Sequence, residues 1–447
     1  MAENPNVQEQ NLKKDSINKL DVIIMSVSAA APAMCLGGSF GTIMQGAGTA
    51  VSLAFLLATV VIVMIGLNYG QLSSRYNSAG GTYSYVRSVF GEKVGFASGW
   101  IYMGVNICTG VIGAIFATYL HELFPAIPLW AGVLILLIPI FFVGWNGVEM
   151  TTKALIVVWG VQMLLLTYPA IKIMTMRTEA VDNILVNSAQ AFLPSYGISG
   201  LMLGVLVCVW AFVGFECPAY MGEELKGGSR SVKIAMTVSA IAIGLVYVIA
   251  CWLWTAGMSM ADVEAVKNSP TTLTDYALLV GYTMGGRLIS IATIVSCIGC
   301  FFAFSTSTPR CLYDMGRTGY LPSALSKVNK HQTPHISLIV YCVVWAAVAL
   351  FGAYGNTDIL FTMMALFASV SYILICAANI KDRWQEKGVK AILLNKIIPL
   401  AAIAILLYMI FSTDWIYLLV TALWIVLSGI ASLFWFRHRQ RAKAMNG

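Results

Sequence analysis

The side chain with the most chemistry to offer is Glu216. It stands in Trp210-Ala-Phe-Val-Gly214-Phe215-Glu216-Cys-Pro218, inside an apolar run that carries no other charge. An ionised carboxylate so deep in an apolar segment costs at least ~3 kcal/mol on membrane-insertion scales. A proton, or the cationic group of a bound molecule, would lower that cost. Gly214 and Pro218 flank the acid and weaken the helix around it. A second segment repeats the pattern. In Ser26-Val-Ser-Ala-Ala-Ala-Pro32-Ala-Met-Cys-Leu-Gly37-Gly-Ser-Phe-Gly41, Pro32 removes a backbone donor and disfavours helix at the residue before it, and three glycines follow.

Unwound backbone inside a membrane exposes N–H and C=O groups that need partners, and a bound molecule or ion can supply them. The backbone around Ala31, Pro32, Ala33 and Met34, and around Val213, Gly214 and Phe215, is therefore expected to make polar contacts with a ligand. Trp210, Phe215 and Phe304 are candidate aromatic walls, since an aromatic face suits an ammonium group. Asn106 and Gln162 are uncharged polar residues in apolar surroundings and either bridge helices or face the ligand. Cys297 and Cys300 form a C-x-x-C without a neighbouring His or acid, which reads as helix packing rather than a metal site. No metal and no cofactor are expected.

The elements that must position these residues follow from composition. Of 447 residues, 59% are hydrophobic and 11% charged, and the mean hydropathy is +0.80. A soluble domain carries about 25% charged residues, so the solvent here is largely lipid. Apolar runs of about 20 residues exclude a barrel, whose strands alternate over ~10 residues. The expected fold is an all-α integral membrane protein with twelve transmembrane helices. They lie near 22–45, 50–70, 94–120, 127–145, 149–172, 199–222, 233–258, 284–312, 336–353, 357–380, 396–412 and 415–436. The two interrupted segments are spans one and six, equivalent positions if the chain is a 5+5 inverted repeat followed by two extra C-terminal helices. Paired interrupted spans of this kind point to a transporter site at the bilayer midplane.

Residues 1–20 then form a polar N-terminal tail without a cleavable signal sequence. Residues 21–437 form one transmembrane domain, with repeat one over about 21–172, repeat two over about 198–380 and the extra helices over about 396–436. Residues 438–447 form a C-terminal tail. Twenty-three of the 27 Lys and Arg fall in the tails and alternate loops on one side of this topology. The positive-inside rule places both termini in the cytoplasm of a multi-pass plasma (inner) membrane protein. The longest opposite-side stretches, about 173–198 and 259–283, have room for lids or short surface helices only.

Three motifs carry a family resemblance. Asn77-Ser-Ala-Gly80-Gly81-Thr-Tyr83-Ser-Tyr85, continuing to Gly95-Phe96-Ala-Ser-Gly99-Trp100, resembles the signature loop of the amino acid–polyamine–organocation permeases. So do Trp210-Ala-Phe-Val-Gly214-Phe215-Glu216 with Glu223-Glu224, and Asp314-Met-Gly316-Arg317-Thr-Gly319-Tyr-Leu-Pro322 with Thr333-Pro334. The resemblance covers about residues 20–437. It implies the inverted-repeat fold with broken spans one and six, alternating access, and a substrate bound between spans one, three, six, eight and ten. By position, Trp210 resembles the aromatic gate of arginine–agmatine type exchangers and Glu216 their proton-sensitive acid. Asn106 resembles a substrate-side residue of span three, and Phe304 falls where span eight carries a second aromatic.

Two departures matter. Ala30-Ala31-Pro32-Ala33 stands where many members carry a Gly-Ser-Gly stretch that takes the substrate carboxylate, and Pro32 with Phe40-Gly41 is closer to bacterial putrescine-type importers. Gln162 stands where some members carry a Lys in place of sodium. Proton and sodium coupling, through Glu216 or Gln162, both stay open. The implied partner is a small amino acid or amine, in a lipid membrane, with no nucleic acid; a homodimer is open. The expected activity is secondary transport, as permease or exchanger, and not catalysis, because no paired acids or His cluster lies at membrane depth. A substrate-sensing receptor on the same scaffold is the alternative, and it would need an added signalling segment.

Overall fold

A computed structural model describes residues 17–76, 80–177, 192–269, 271–355 and 357–445. The tail before residue 17, the motif residues 77–79 and most of the 173–198 stretch lie outside the described residues. Among those described, the elements are helical, and the one β-type pairing is an isolated bridge between Ile17 and Leu225.

Among the described residues, ten helices are long and apolar enough to cross a membrane. Two shorter apolar helices, Leu129–Trp145 and Gly197–Trp210, stand at the fourth and sixth expected places. The all-helical fold is as expected, but the count of twelve is not reproduced exactly: ten helices reach spanning length and two apolar ones are shorter among the described residues. Span six is short because its helix stops at Trp210, with a second piece only at Cys217–Tyr220. Span one is likewise two helices, Lys19–Ala29 and Pro32–Ala47. Both interruptions read from the sequence are present.

Span three is also in two pieces, Glu92–Cys108 and Val111–Leu123. The Thr109 hydroxyl donates to the Asn106 carbonyl, which competes with the helix ladder at that point. Spans two, seven, eight and ten are Val51–Ser73, Gly228–Thr255, Thr283–Arg317 and Thr357–Asp382. At 1.5 Å per residue the 35-residue span eight is about 52 Å long, well beyond a ~30 Å apolar core, so it carries Asp314 and Arg317 out on one side. On the other side the segment after span seven folds into two short helices, Met260–Val266 and Thr272–Leu279, where surface helices were expected.

Burial separates core from periphery. The apolar stretches of spans one and three are 78% and 83% buried, while that of span twelve is 17% buried. Spans seven and eight both pack against span one, and span two packs along span seven. Span twelve turns Leu419, Leu423, Val426 and Ile430 outward, an apolar surface that suits lipid.

Candidate functional site

The break in span one is imposed by Pro32. Ala31, just before it, takes a left-handed conformation (φ 46°, ψ 64°), which costs an L-residue about 1–2 kcal/mol. The carbonyls freed by the break are taken by side chains from other spans. Ala29 O accepts from the Cys300 thiol at 2.9 Å, Ala33 O from Thr293 at 3.4 Å and Gly37 O from Tyr119 at 2.9 Å. Ala30 O accepts from Tyr247 and from Cys35. Cys300 of the C-x-x-C therefore packs on span one and also caps it. The amides at the start of Pro32–Ala47 differ, because those of Ala33 and Met34 find no acceptor among the described residues. They lie at the positive end of a 16-residue helix.

In span six the chain turns through 211–216. Gly214 has φ 107°, and a Cβ there would lie 2.6 Å from that of Ala29 and 3.3 Å from the Phe304 ring. Both the dihedral and the lack of room demand glycine. The two breaks thus touch, and Phe304 of span eight sits against them.

Glu216 is fully buried just past this turn. Its Oε2 accepts from the Gly214 N–H at 3.0 Å, and its Oε1 accepts from the Tyr102 hydroxyl at 2.7 Å. The Tyr372 hydroxyl lies 3.2 Å from both oxygens. The carboxylate is held by spans three, six and ten, and no Lys or Arg takes part among the described residues. A rim of aromatic rings surrounds it. Phe215 meets Tyr69 and Tyr372 edge-on, with centroids 6.0 and 5.7 Å away, and Tyr102 lies over Tyr220 at 5.5 Å. Thr82 joins the hydroxyls of Tyr69 (2.6 Å) and Tyr220 (2.9 Å).

Trp210 lies on the other side of the break. Its ring packs on Phe361 of span ten, with centroids 4.5 Å apart, and its Nε1 has no acceptor among the described residues. A small cavity of about 50 Å³, lined by Ser39, Leu206, Val207, Trp210, Phe361 and Ala365, adjoins this pair. A larger one of about 190 Å³, lined by Gln45, Thr118, Tyr119, Lys267 and Asn268 among others, shares Thr42 and Phe361 with it. Trp210 and Phe361 thus stand between a polar vestibule near Lys267 and the two breaks.

The remaining candidates separate. Asn106 Oδ1 accepts from Thr308 of span eight at 2.9 Å, and its Nδ2 has no partner among the described residues. Gln162, fully buried in span five, has neither amide atom partnered among the described residues, and the Ser28 hydroxyl is likewise without a partner among them. Its Nε2 and Ser28 Cβ both lie about 4 Å from the place a Gly299 Cβ would take. Tyr102, Tyr247, Phe361 and Tyr372 were missed from sequence. A tyrosine inside an apolar span was the available signal, but many spans carry one.

The motif residues meet at the opposite end, past span six. The Gly80–Gly81 turn packs on Tyr220 and Asp314, and Tyr83 donates to Asp314. Arg317 bonds Asp314 at 2.5 Å and Glu223 at 2.7 Å. Arg310 and Glu224 form a bidentate pair with 2% and 4% of their side chains exposed, so neither charge faces water. Glu224 O also accepts from the Ile17 N–H at 3.1 Å, which ties the N-terminal segment to this plug.

The sequence matches the amino acid permease family over residues 17–436. The chain belongs to this family. It is 23% identical to the low-affinity putrescine importer PlaP of Escherichia coli K12 over 87% of this chain and 85% of that protein. It is 20% identical to the branched-chain amino acid permease BcaP of Bacillus subtilis over 98% of this chain and 96% of that protein. A methylthioribose transporter of Bacillus subtilis is 24% identical over 90% and 88%. The fold resembles the crystal structure of MhsT in complex with L-phenylalanine, with a TM-score of 0.63, 13% identity, and coverage of 90% of this chain and all of that one. The permease is a multi-pass membrane protein of a permease family, with a fold that matches MhsT.

Proposed function

We propose that this permease is a secondary transporter that carries a zwitterionic amino acid with an apolar side chain across the plasma membrane by alternating access. One observation carries the choice of substrate class: Glu216, the acid at the breaks, is already bonded by Tyr102, Tyr372 and Gly214 N–H. A diamine would bring two ammonium groups and no carboxylate of its own, and Glu216, the one acid at the breaks, is already engaged by the protein's own donors. The unpartnered N–H groups of Ala33 and Met34 instead suit a carboxylate at a helix N-terminus. The carbonyl of Val213, unengaged among the described residues, suits an ammonium. The apolar cavity beside Trp210, Leu206 and Ala365 suits an aliphatic or aromatic side chain.

In this reading Ala31 and Pro32 shape the carboxylate pocket, Trp210 closes over the substrate, and Phe215 and Phe304 back it. Asn106 offers its free amide from span three. Glu216 couples the break to spans three and ten, and a coupling proton acts there. Gln162 and Ser28 are the place for a coupling cation or a water. The basic-residue bias puts both termini in the cytoplasm, so the Lys267 vestibule faces outside and the Arg310–Glu224 plug faces the cytoplasm.

The relatives include one protein named for putrescine and one for branched-chain amino acids, which sets the panel for the test. Purified protein in proteoliposomes is assayed for uptake of labelled leucine, phenylalanine, alanine, arginine and putrescine, under an imposed pH or sodium gradient. Saturable leucine or phenylalanine uptake that excess putrescine does not inhibit is expected. Putrescine uptake would overturn the substrate class and leave transport standing. No uptake or exchange of any compound, under either gradient, would overturn the transporter reading.

A further inference from the structure

Tyr247 lies in span seven, which is unbroken and supplies none of the residues discussed as ligands. It is nevertheless fully buried against both breaks. Its hydroxyl donates to the carbonyl of Ala30, at the end of the first half of span one, and lies 3.0 Å from the carbonyl of Ala211, the first residue past the helical part of span six. These two carbonyls belong to segments 181 positions apart in the chain, and one phenol group reaches both. The ring is held in place: it stacks on Phe55 of span two, with centroids 4.4 Å apart and planes 12° apart, and packs on Phe212 at 5.4 Å.

We infer that Tyr247 is a positioning residue that ties the two broken spans to each other through the carbonyls of Ala30 and Ala211. The inference rests on the site described above and adds its means of alignment. A phenol carries one proton, so the two carbonyls share it only while both breaks keep their present separation. When one half-helix moves away from the other, the proton follows one carbonyl: Ala211 O then loses its donor in a dry interior, or Ala30 O keeps only the weak Cys35 thiol. Cys300 acts on span one alone, through Ala29. The relative position of the carboxylate end of the site (Ala33, Met34) and its ammonium end (Val213) thus depends on a residue that touches neither.

Hydrogen–deuterium exchange on the purified full-length protein tests this without any substrate. In Tyr247→Phe, which keeps the ring and its stack on Phe55, peptides over 26–34 and 210–216 are expected to exchange together about tenfold faster, with spans nine and twelve unchanged. In Cys300→Ala only 26–34 quickens. Phe55→Leu, which frees the ring but keeps the hydroxyl, gives a smaller rise at both breaks and serves if Tyr247→Phe does not fold. Wild-type exchange at the breaks in these folded variants, or a change confined to span seven, would overturn the inference. In proteoliposomes Tyr247→Phe is expected to raise KM for the transported amino acid about tenfold with the maximal rate within threefold. A merely structural role would lower the amount of active protein and leave KM alone. A wild type without uptake would sink the transporter reading, and the exchange result would still decide the role of Tyr247.

Discussion

The carboxylate of Glu216 and the hydroxyl of Tyr102 lie 2.7 Å apart, joining the break in span six to the middle of span three. Hydrogen bonds to charged groups are worth about 1.5–3 kcal/mol. Tyr102→Phe is therefore expected to lower stability by about that amount and to slow uptake. A double-mutant cycle with Glu216→Gln should show a coupling above about 0.5 kcal/mol. Glu216→Gln alone should also flatten or displace the pH profile of uptake. Additive effects together with a wild-type pH profile would remove Glu216 from the coupling machinery.

Gly214 has two independent reasons to be glycine, a φ of 107° and a neighbour at 2.6 Å. Gly214→Ala is expected to abolish uptake and to destabilise the fold by more than the 1–3 kcal/mol of a strained backbone alone. Gly281, with φ 79° and open space around it, is the control. Gly281→Ala should cost about 1 kcal/mol and leave uptake intact. Thermal unfolding in detergent with parallel uptake assays separates the two.

Arg310 and Glu224 are both buried, so removing one partner strands the other's charge. Glu224→Gln or Arg310→Met is expected to destabilise by about 3–5 kcal/mol, whereas the double substitution Glu224→Leu with Arg310→Met should recover most of that loss. If the pair also closes the cytoplasmic side, an impermeant maleimide should label the neighbouring Cys311 faster in inside-out vesicles of the folded double variant. Equal labelling of wild type and double variant would show that the pair does not gate access.

The Trp210–Phe361 pair, with centroids 4.5 Å apart, predicts a change in apparent affinity beside the stability cost of losing a buried ring. Trp210→Ala is expected to raise KM at least tenfold, about 1.4 kcal/mol of lost binding, and to lower stability by ~3–5 kcal/mol, as truncating a buried aromatic does. Trp210→Phe should restore most of it. Uptake kinetics for the three proteins check the order, and a KM unaffected by Trp210→Ala would place the substrate elsewhere.

On the vestibule side, Arg177 bonds Asp262 at 2.5 Å, and Ser259 adds its N–H and hydroxyl. Burial pushes the Asp262 carboxyl up, but the Arg177 guanidinium and the Ser259 donors outweigh it and hold the group below its ordinary value. A carboxylate lowered in the folded state stabilises above its unfolded pKa, about 3.9, and loses that contribution as pH falls through the folded value. The difference in melting temperature between wild type and Asp262→Asn should be constant from pH 5 to 8 and shrink below about pH 4. A difference that grows on acidification would reverse the sign and refute the assignment.

Much of the architecture was legible in the chain. Membrane depth and span order follow from apolar run length, because lipid permits little but self-satisfied helices. The break at Ala31 follows from Pro32, and that at Gly214 is signalled by glycine, since both act on the backbone beside them. Glu216 could be singled out because an acid at membrane depth is rare. Its partners could not. Tyr102 and Tyr372 lie 114 and 156 positions from it, and many other buried tyrosines fit the same local pattern. The same holds for Phe361 beside Trp210 and for Tyr247 between the breaks. Hydropathy says that a helix is buried but not which way it is rotated or what it faces. Rotation is set by packing against helices distant in sequence, and that packing decided that Glu216 is bonded by the protein itself and that both breaks meet at one hydroxyl.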